Sequence, residues 1–452
     1  MKPVPLVVVG GGLAGSLAAI LLARRGLEPI VLERSASFAA DAGAERRSIN
    51  LALAARGLRA LEHAGVRADV EPLLTPMSGR MLHEDGRQRY LPYGQRSAEH
   101  IYAVGRAELN RRLLEIAQER CRIEYRLGHA CIGLDPVSGT LSVEAPHGAY
   151  ELAADFVLAA DGAGSAVRKA LQAAGAVRAA EDFLDHGYKE LTFPPAPSGD
   201  FVLPPQALHI WPRGEFMLIA LPNRDRSFTA TLFLPLSGEM SFGAVDAGAV
   251  RAFFAAHFPD ALPLTLDLER EYGRHPVGRL GTLTCRPWSH AGRVLLLGDA
   301  AHAIVPFHGQ GMNAAFEDCF ELDRLVAELG ADWPRVCAEF ERRRIAHADA
   351  IAAMALENYR EMRADVRTPE FVLKAELAFE LERRFPRRFI PRYAMVMFHP
   401  EIGYADARRR GAVQAQILSE LTRDARTLAD VDFERAAAVV AERLEPLAQS
   451  VG

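Results

Sequence analysis

Cysteine is scarce, with five residues in 452, at positions 121, 131, 285, 319 and 337. Their number is odd and no two stand in a C-x-x-C spacing. Neither a disulfide framework nor a zinc site is suggested, and a reducing cytoplasm fits best. Charge of one sign is not in excess: 53 lysines and arginines face 58 acidic residues, a net charge of −5. That balance argues against a nucleic acid or an anionic membrane surface as partner. Long apolar runs are missing too. Residues 3–23 carry no charge and follow Lys2, so a signal peptide or membrane anchor has to be weighed. Gly10, Gly11 and Gly12 cut that run into two pieces, each too short to span a bilayer. A cytoplasmic protein without a membrane anchor is expected. Repeats and low-complexity tracts are absent, although 436–440 is locally rich in Ala and Val. What is present is ordinary globular material, 49% hydrophobic and 25% charged, and long enough for two or three domains.

The first forty residues carry the clearest pattern. A β-branched strand at 6–9 leads into Gly10, Gly12 and Gly15 in G-x-G-x-x-G spacing, with Leu13 and Ala14 inside it. A helix over 16–25 and a second strand over 29–32 follow, ending at Glu33 and Arg34. Strand, glycine turn, helix, strand and a late acid together make the dinucleotide-binding context. The glycines let backbone approach a pyrophosphate seated on the helix N-terminus. Glu33, rather than an arginine, favours an unphosphorylated ribose, hence FAD or NAD rather than NADP.

A second loop lies far downstream. The apolar run 294–297 reads as a buried strand and opens into Gly298 and Asp299, then Pro306 and a Gln310 flanked by Gly309 and Gly311. A helix begins about residue 314. Such a loop turns N–H groups toward a ligand that carries, or will acquire, negative charge. Alone it reads equally as a plain strand-loop-helix connection; the N-terminal fingerprint tips the balance. A third loop, Asp161 and Gly162 after the apolar 156–160, suggests close approach to the same cofactor. Arg46 and Arg47 could meet phosphate or simply be solvated. Arg106 opens a helix, where an arginine usually sits at the surface unless a cofactor covers it.

The remaining pattern is architectural. Residues 77–93 alternate as strands, with Arg80 and Tyr93 standing out; taken alone they read as a surface arginine and a core tyrosine. Strands at 130–134, 141–144 and 150–152 form a meander. From about 179 the strands 188–193, 209–211, 215–221 and 227–234 make an antiparallel sheet. Beyond the Gly298 loop the chain is mostly helical. The expected class is α/β with an α+β insert: a Rossmann-like FAD-binding domain, an antiparallel-sheet substrate domain and a C-terminal helical region. The FAD-binding domain is assigned to 1–178 and 277–330, with 77–94 lending strands to the substrate site. The sheet domain takes 179–276 and the helical region 331–452.

The three loops resemble those of the flavin-dependent aromatic hydroxylases of the p-hydroxybenzoate hydroxylase fold. The closer resemblance is to the kynurenine 3-monooxygenases, bacterial soluble type. It is carried by residues 47–53, 186–188, 208–212, 219–223, 306–313, 358–359 and 388–393, so it spans nearly the whole chain. The resemblance implies non-covalent FAD on Gly10, Gly12, Leu13, Ala14, Gly15, Glu33, Arg34, Arg106, Asp161, Gly162 and Asp299. Gly311, Met312 and Asn313 of the late loop join them. It implies Arg80 and Tyr93 as the pair holding an amino-acid carboxylate, with Asn358 and Tyr393 in the same pocket. It sets Phe307 and His308 beside the isoalloxazine, in a catalytic loop with Pro306, Gln310 and Gly311. The implied reaction converts L-kynurenine to 3-hydroxykynurenine with NADPH and O2, through a flavin C4a-hydroperoxide, with no metal. The implied assembly is a monomer or homodimer. Other readings are a hydroxylase of a modified kynurenine and a flavin-binding protein without turnover. A flavin halogenase is disfavoured, because the Trp-x-Trp-x-Ile-Pro signature is absent and the three tryptophans stand alone.

Overall fold

The computed structural model describes residues 5–37, 50–84, 86–363 and 368–447; Arg46 and Arg47 lie outside them. The chain divides into two compact units. One comprises Met1–Thr75, Tyr102–Leu184 and Arg279–Ala352, the other Pro76–Ile101, Asp185–Gly278 and Ala353–Gly452. The cut expected at residue 331 therefore falls inside the first unit. Helix Trp333–Arg363 is one continuous element, so no turn or breaker marks the boundary in the sequence.

The first unit is built on a sheet of six strands. Their order is Ser289–His290, Val294–Leu296, Val157–Ala159, Val7–Val9, Ile30–Glu33 and Glu124–Leu127. All neighbours run parallel except the first pair. Val7, Val8, Val9, Leu158, Val294 and Leu295 are buried, as expected of a parallel sheet covered on both faces. Each such Val or Leu contributes about 1.5–3 kcal/mol by leaving water. Helix Leu13–Arg24 is buried from Gly15 to Leu22, since its sequence LAGSLAAILLAR is apolar all round and has no wet face to offer. It packs against helices Arg106–Glu119 and Gly311–Leu329. The meander is present as strands Ala130–Asp135, Thr140–Ala145 and Gly148–Ala153.

The second unit holds a mixed sheet. Arg178–Phe193 pairs with Phe228–Pro235, which pairs with Met217–Pro222, then Ala207–Pro212, Gly79–Glu84 and Arg87–Pro92. Arg178–Phe193 is 16 residues long, against the 188–193 expected. Its first eight residues are mostly exposed, so no inside-outside alternation marks them as strand. One sheet face is covered by Phe253, Phe254 and Phe258 over Trp211, Leu218 and Leu232. Within that core runs a polar relay. The Asp260 carboxylate receives the Trp211 indole N–H at 2.8 Å and faces His83 Nδ1 at 3.2 Å; His83 Nε2 meets His209 Nδ1 at 2.8 Å, and His209 Nε2 donates to the Pro204 carbonyl at 2.8 Å. Helices Pro369–Arg384, Tyr404–Leu421 and Phe433–Arg443 share a separate cluster around Leu377, Leu381, Ile417 and Val440. No helix among the described residues is long and apolar enough to cross a membrane.

Candidate functional site

In the first unit the candidate loops gather at one edge. Val9 pairs with both Leu32 and Ala159, and Ala159 with Leu296, so four adjacent parallel strands end level. Just beyond those ends come Gly10, Glu33, Asp161 and Gly298. The carboxyl edge of a doubly wound sheet is where such folds take ligands. Gly10 has φ +98, and a Cβ there would lie 2.6 Å from the Ala160 carbonyl oxygen. A Cβ on Gly15 would lie 1.9 Å from the Gly10 carbonyl oxygen. Only glycine lets this turn close against its neighbours. Around Gly12 the space is open, and helix Leu13–Arg24 has no side-chain cap there. Its first N–H groups are thus available to an anion.

Two carboxylates face this edge. Glu33 accepts from the Gly11 N–H through Oε2 and from the Ser35 N–H through Oε1, both at 2.8 Å. Each oxygen keeps a lone pair for a further donor such as a hydroxyl. Asp161 accepts from Ala166 N–H at 2.8 Å through Oδ2, while its Oδ1 is buried without a partner among the described residues. Burial pushes its pKa up, against hydrogen bonds that lower it. Buried lone oxygens of this kind are rare in finished structures and mark a missing donor. Gly162 follows with φ +79. Arg34, Arg106 and Asp299 are exposed, whereas Leu13 and Ala14 are half-buried.

The Gly298 loop rests on buried charge. Asp299–His302 forms a single helical turn, Pro306–His308 a 3-10 turn, and Gly309 closes the latter with φ 64. Phe307, His308 and Gln310 are buried. Helix Gly311–Leu329 starts without a side-chain cap, so the N–H groups of Gly311 and Met312 stay available. The Asn313 side chain is tied to backbone on both sides. Its Oδ1 accepts from Ala54 N–H at 2.9 Å and its Nδ2 donates to the Ala52 and Gly309 carbonyls at 2.8 and 2.9 Å. Its amide N–H groups are used up, while Oδ1 keeps one lone pair.

One turn on, Glu317 receives Arg56 at 2.8 Å, Arg59 at 3.1 Å and Arg344 at 2.7 Å. Asp318 receives Arg344 Nε at 2.7 Å and meets His302 Nε2 at 2.6 Å. Burial alone would raise Glu317, but Arg344 and Arg56 outweigh it and hold the carboxyl down at about 2. Sequence reading missed this network, because partners some 260 positions apart look like separate solvated helix faces.

The second unit assembles the expected substrate residues. Arg80 pairs with Leu91, and Tyr93 N–H bonds the Ser78 carbonyl at 3.0 Å. Positions 78 and 80 share a face in a period of two, so Tyr93 stands diagonally beside Arg80. The Arg80 guanidinium lies 4.5 Å from the Tyr393 ring centroid and 5.6 Å from that of Tyr93. The two rings stack at 5.5 Å and 18°. Burial works against the Arg80 charge, but Tyr393, Tyr93 and Glu361 raise its pKa further. Burial pushes both phenols up, so they remain hydrogen donors. Arg80 Nε and the Tyr93 hydroxyl are buried without a hydrogen-bond partner among the described residues. Asn358 is buried and donates to the Met362 sulfur at 3.2 Å. Arg392, next to Tyr393, pairs with Glu357 and lies 3.8 Å from Glu361, carboxylates that flank Asn358.

Residues 3–353 match the FAD binding domain family. A kynurenine 3-monooxygenase from Xanthomonas euvesicatoria pv. vesicatoria is 45% identical over 451 residues, covering 99% of this chain and 98% of the relative. One from Myxococcus xanthus is 43% identical, covering 98% and 96%. The chain belongs to the kynurenine 3-monooxygenase family. Among solved structures, 2-methyl-3-hydroxypyridine-5-carboxylic acid oxygenase in its tetrameric form aligns with a TM-score of 0.67 at 21% identity. It covers 84% of this chain and 98% of its own. p-Nitrophenol 4-monooxygenase from Pseudomonas putida gives 0.64 at 18%, covering 84% and 94%. These two establish the shared α/β hydroxylase fold. An FAD-binding domain of this family fits the first unit: Gly10 and Gly12 leave a cradle, and Asp161 Oδ1 awaits a donor.

Proposed function

We propose that this chain is an FAD-dependent monooxygenase converting L-kynurenine to 3-hydroxykynurenine with NADPH and O2. The observation that carries the substrate is the donor set of Arg80, Tyr93 and Tyr393, with Arg80 Nε and the Tyr93 hydroxyl lacking a hydrogen-bond partner among the described residues. A planar guanidinium with phenol donors suits the carboxylate of an amino acid, which it can hold by a fork of parallel bonds. Asn358 is assigned to the same pocket. FAD, when bound, supplies electron transfer from NADPH and activation of oxygen.

The chain's own residues do the placing. Glu33 takes up ribose hydroxyls, the Gly10 to Gly15 turn takes the pyrophosphate, and Arg106, Asp161 and Asp299 complete the set. The uncapped N-terminus at Gly311 and Met312 favours negative charge on a bound ring. Buried Phe307 and His308, after the rigid Pro306, keep water from that loop. The enzyme is assigned to the cytoplasm as a monomer or homodimer, in keeping with five free cysteines of which three are buried.

The test is product identification. Purified protein incubated with L-kynurenine, NADPH and O2 should give 3-hydroxykynurenine by mass, with NADPH consumption that depends on kynurenine. NADPH consumption without hydroxylated product would point to a different aromatic substrate. No consumption with any amino-aromatic acid would leave a flavin-binding protein without turnover.

A further inference from the structure

Asp318 is a fully buried carboxylate that the proposed chemistry does not use. Its two oxygens have separate duties. Oδ1 takes the Nε–H of Arg344 at 2.7 Å, and Arg344 in turn donates to Glu317 at 2.7 Å. Oδ2 takes the Gly298 N–H at 3.2 Å and meets His302 Nε2 at 2.6 Å. Gly298 and His302 are the two ends of the single turn whose first residue is Asp299. One carboxylate oxygen therefore clips both ends of that turn, while the other is moored to a guanidinium.

The turn needs such a clip. Four residues cannot hold a helix by themselves, since nucleation fixes many dihedrals for one hydrogen bond. Gly298 sits at φ 61, ψ −138, and a Cβ there would lie 3.1 Å from the Ala315 Cβ. The segment is thus pressed against helix Gly311–Leu329 and tied to it by Asp318. Asp299 is exposed, so the turn beneath it fixes where its Cα–Cβ bond starts and points.

We propose that Asp318, moored by Arg344, is a positioning residue of the flavin site, aiming Asp299 at the nucleotide. This rests on the FAD reading above. Asparagine cannot replace it, because an amide has one acceptor oxygen. It would face a donor either to Arg344 Nε–H or to the Gly298 N–H, leaving that group without an acceptor.

The decisive measurement is a double-mutant cycle on FAD affinity, read by titrating apoprotein with FAD and following flavin fluorescence. Asp299→Ala removes the aimed group and Asp318→Asn the aim. Asp318→Asn alone should weaken FAD by about tenfold to a hundredfold, the loss of a charged hydrogen bond. In the Asp299→Ala background the same change should cost about twofold or less, since nothing is left to aim. Additive losses would mean that Asp318 supports the fold generally, and would overturn the proposal, as would an unchanged affinity in Asp318→Asn. Should Asp318→Asn not fold, His302→Phe removes one clip only and must show a smaller loss with the same non-additivity. Wild type that takes up no FAD is a separate failure, visible before any variant is made, and it overturns the flavin reading along with this one.

Discussion

Arg80 shows what a single side chain is asked to do. In the proposed reading a substrate carboxylate would meet a guanidinium that is already half-buried. Arg80→Met should weaken kynurenine binding by roughly 2–5 kcal/mol, about thirtyfold to several-thousandfold. Arg80→Lys should also bind poorly, because a point charge does not reproduce the fork. Tyr93→Phe removes one donor and should cost less, about 1.5–3 kcal/mol. Titration of flavin absorbance with L-kynurenine measures all three, and FAD content should stay normal. Wild-type affinity in Arg80→Met would falsify the substrate assignment. Asn313 makes the opposite case. Its amide joins Ala52, Ala54 and Gly309, so Asn313→Ala leaves buried backbone groups unsatisfied. Apoprotein stability should fall by about 1–3 kcal/mol or more in urea titration. A variant that loses FAD while keeping full apoprotein stability would show that the Asn313 side chain serves the cofactor directly.

What could be read from residues follows from distance along the chain. Gly10, Glu33 and Asp161 were legible because each sits at a fixed offset from an apolar strand. Arg56, Glu317 and Arg344 were not, since their charges look ordinary on helix faces and only folding brings them together.

At the scale of elements, strands announce themselves by burial. Val7–Val9 and Val294–Leu296 were visible as apolar runs, but the exposed half of Arg178–Phe193 had no pattern to show. Among the described glycines, Gly15 in the joint between the Val7–Val9 strand and its helix has the least room. Gly15→Ala should abolish FAD retention or yield insoluble protein, because a backbone carbonyl occupies the space a methyl would need. Soluble, yellow Gly15→Ala would contradict the geometry. The relay beneath strand Gly79–Glu84 sets a pH dependence. Burial, with His83 nearby, holds His209 down at about 4, below its usual 6.5. The unfolded chain then takes up a proton that the folded chain refuses. Stability is intact above about pH 6.5 and drains away as pH falls from 6.5 toward 4, by up to about 3 kcal/mol. Urea midpoints at pH 7 and pH 5 should differ by less in His209→Phe than in wild type. An unchanged difference would assign the loss to other groups.

At the scale of the whole molecule, nucleotide binding and stability are linked. A ligand that binds only the folded chain adds about 2.7 kcal/mol at a hundredfold excess over its Kd, so FAD should raise the melting temperature by several degrees and NADPH alone by less. An equal rise with both would question FAD as the resident nucleotide. The division of the chain carries one more consequence. It passes between the two units five times, and the six-stranded sheet lacks one of its inner strands until Val294–Leu296 has been made. A growing polypeptide on the ribosome can therefore close neither unit early. The first waits for about Ala352, the second for the end of the chain. Until then apolar strands such as Val7–Val9 have emerged without all their neighbours, an opening for chaperones and for aggregation. No contiguous fragment consists of one whole unit alone. Truncations meant to isolate the nucleotide half should come out insoluble, whereas a gene that splices its three segments through short linkers offers that half a route to fold by itself.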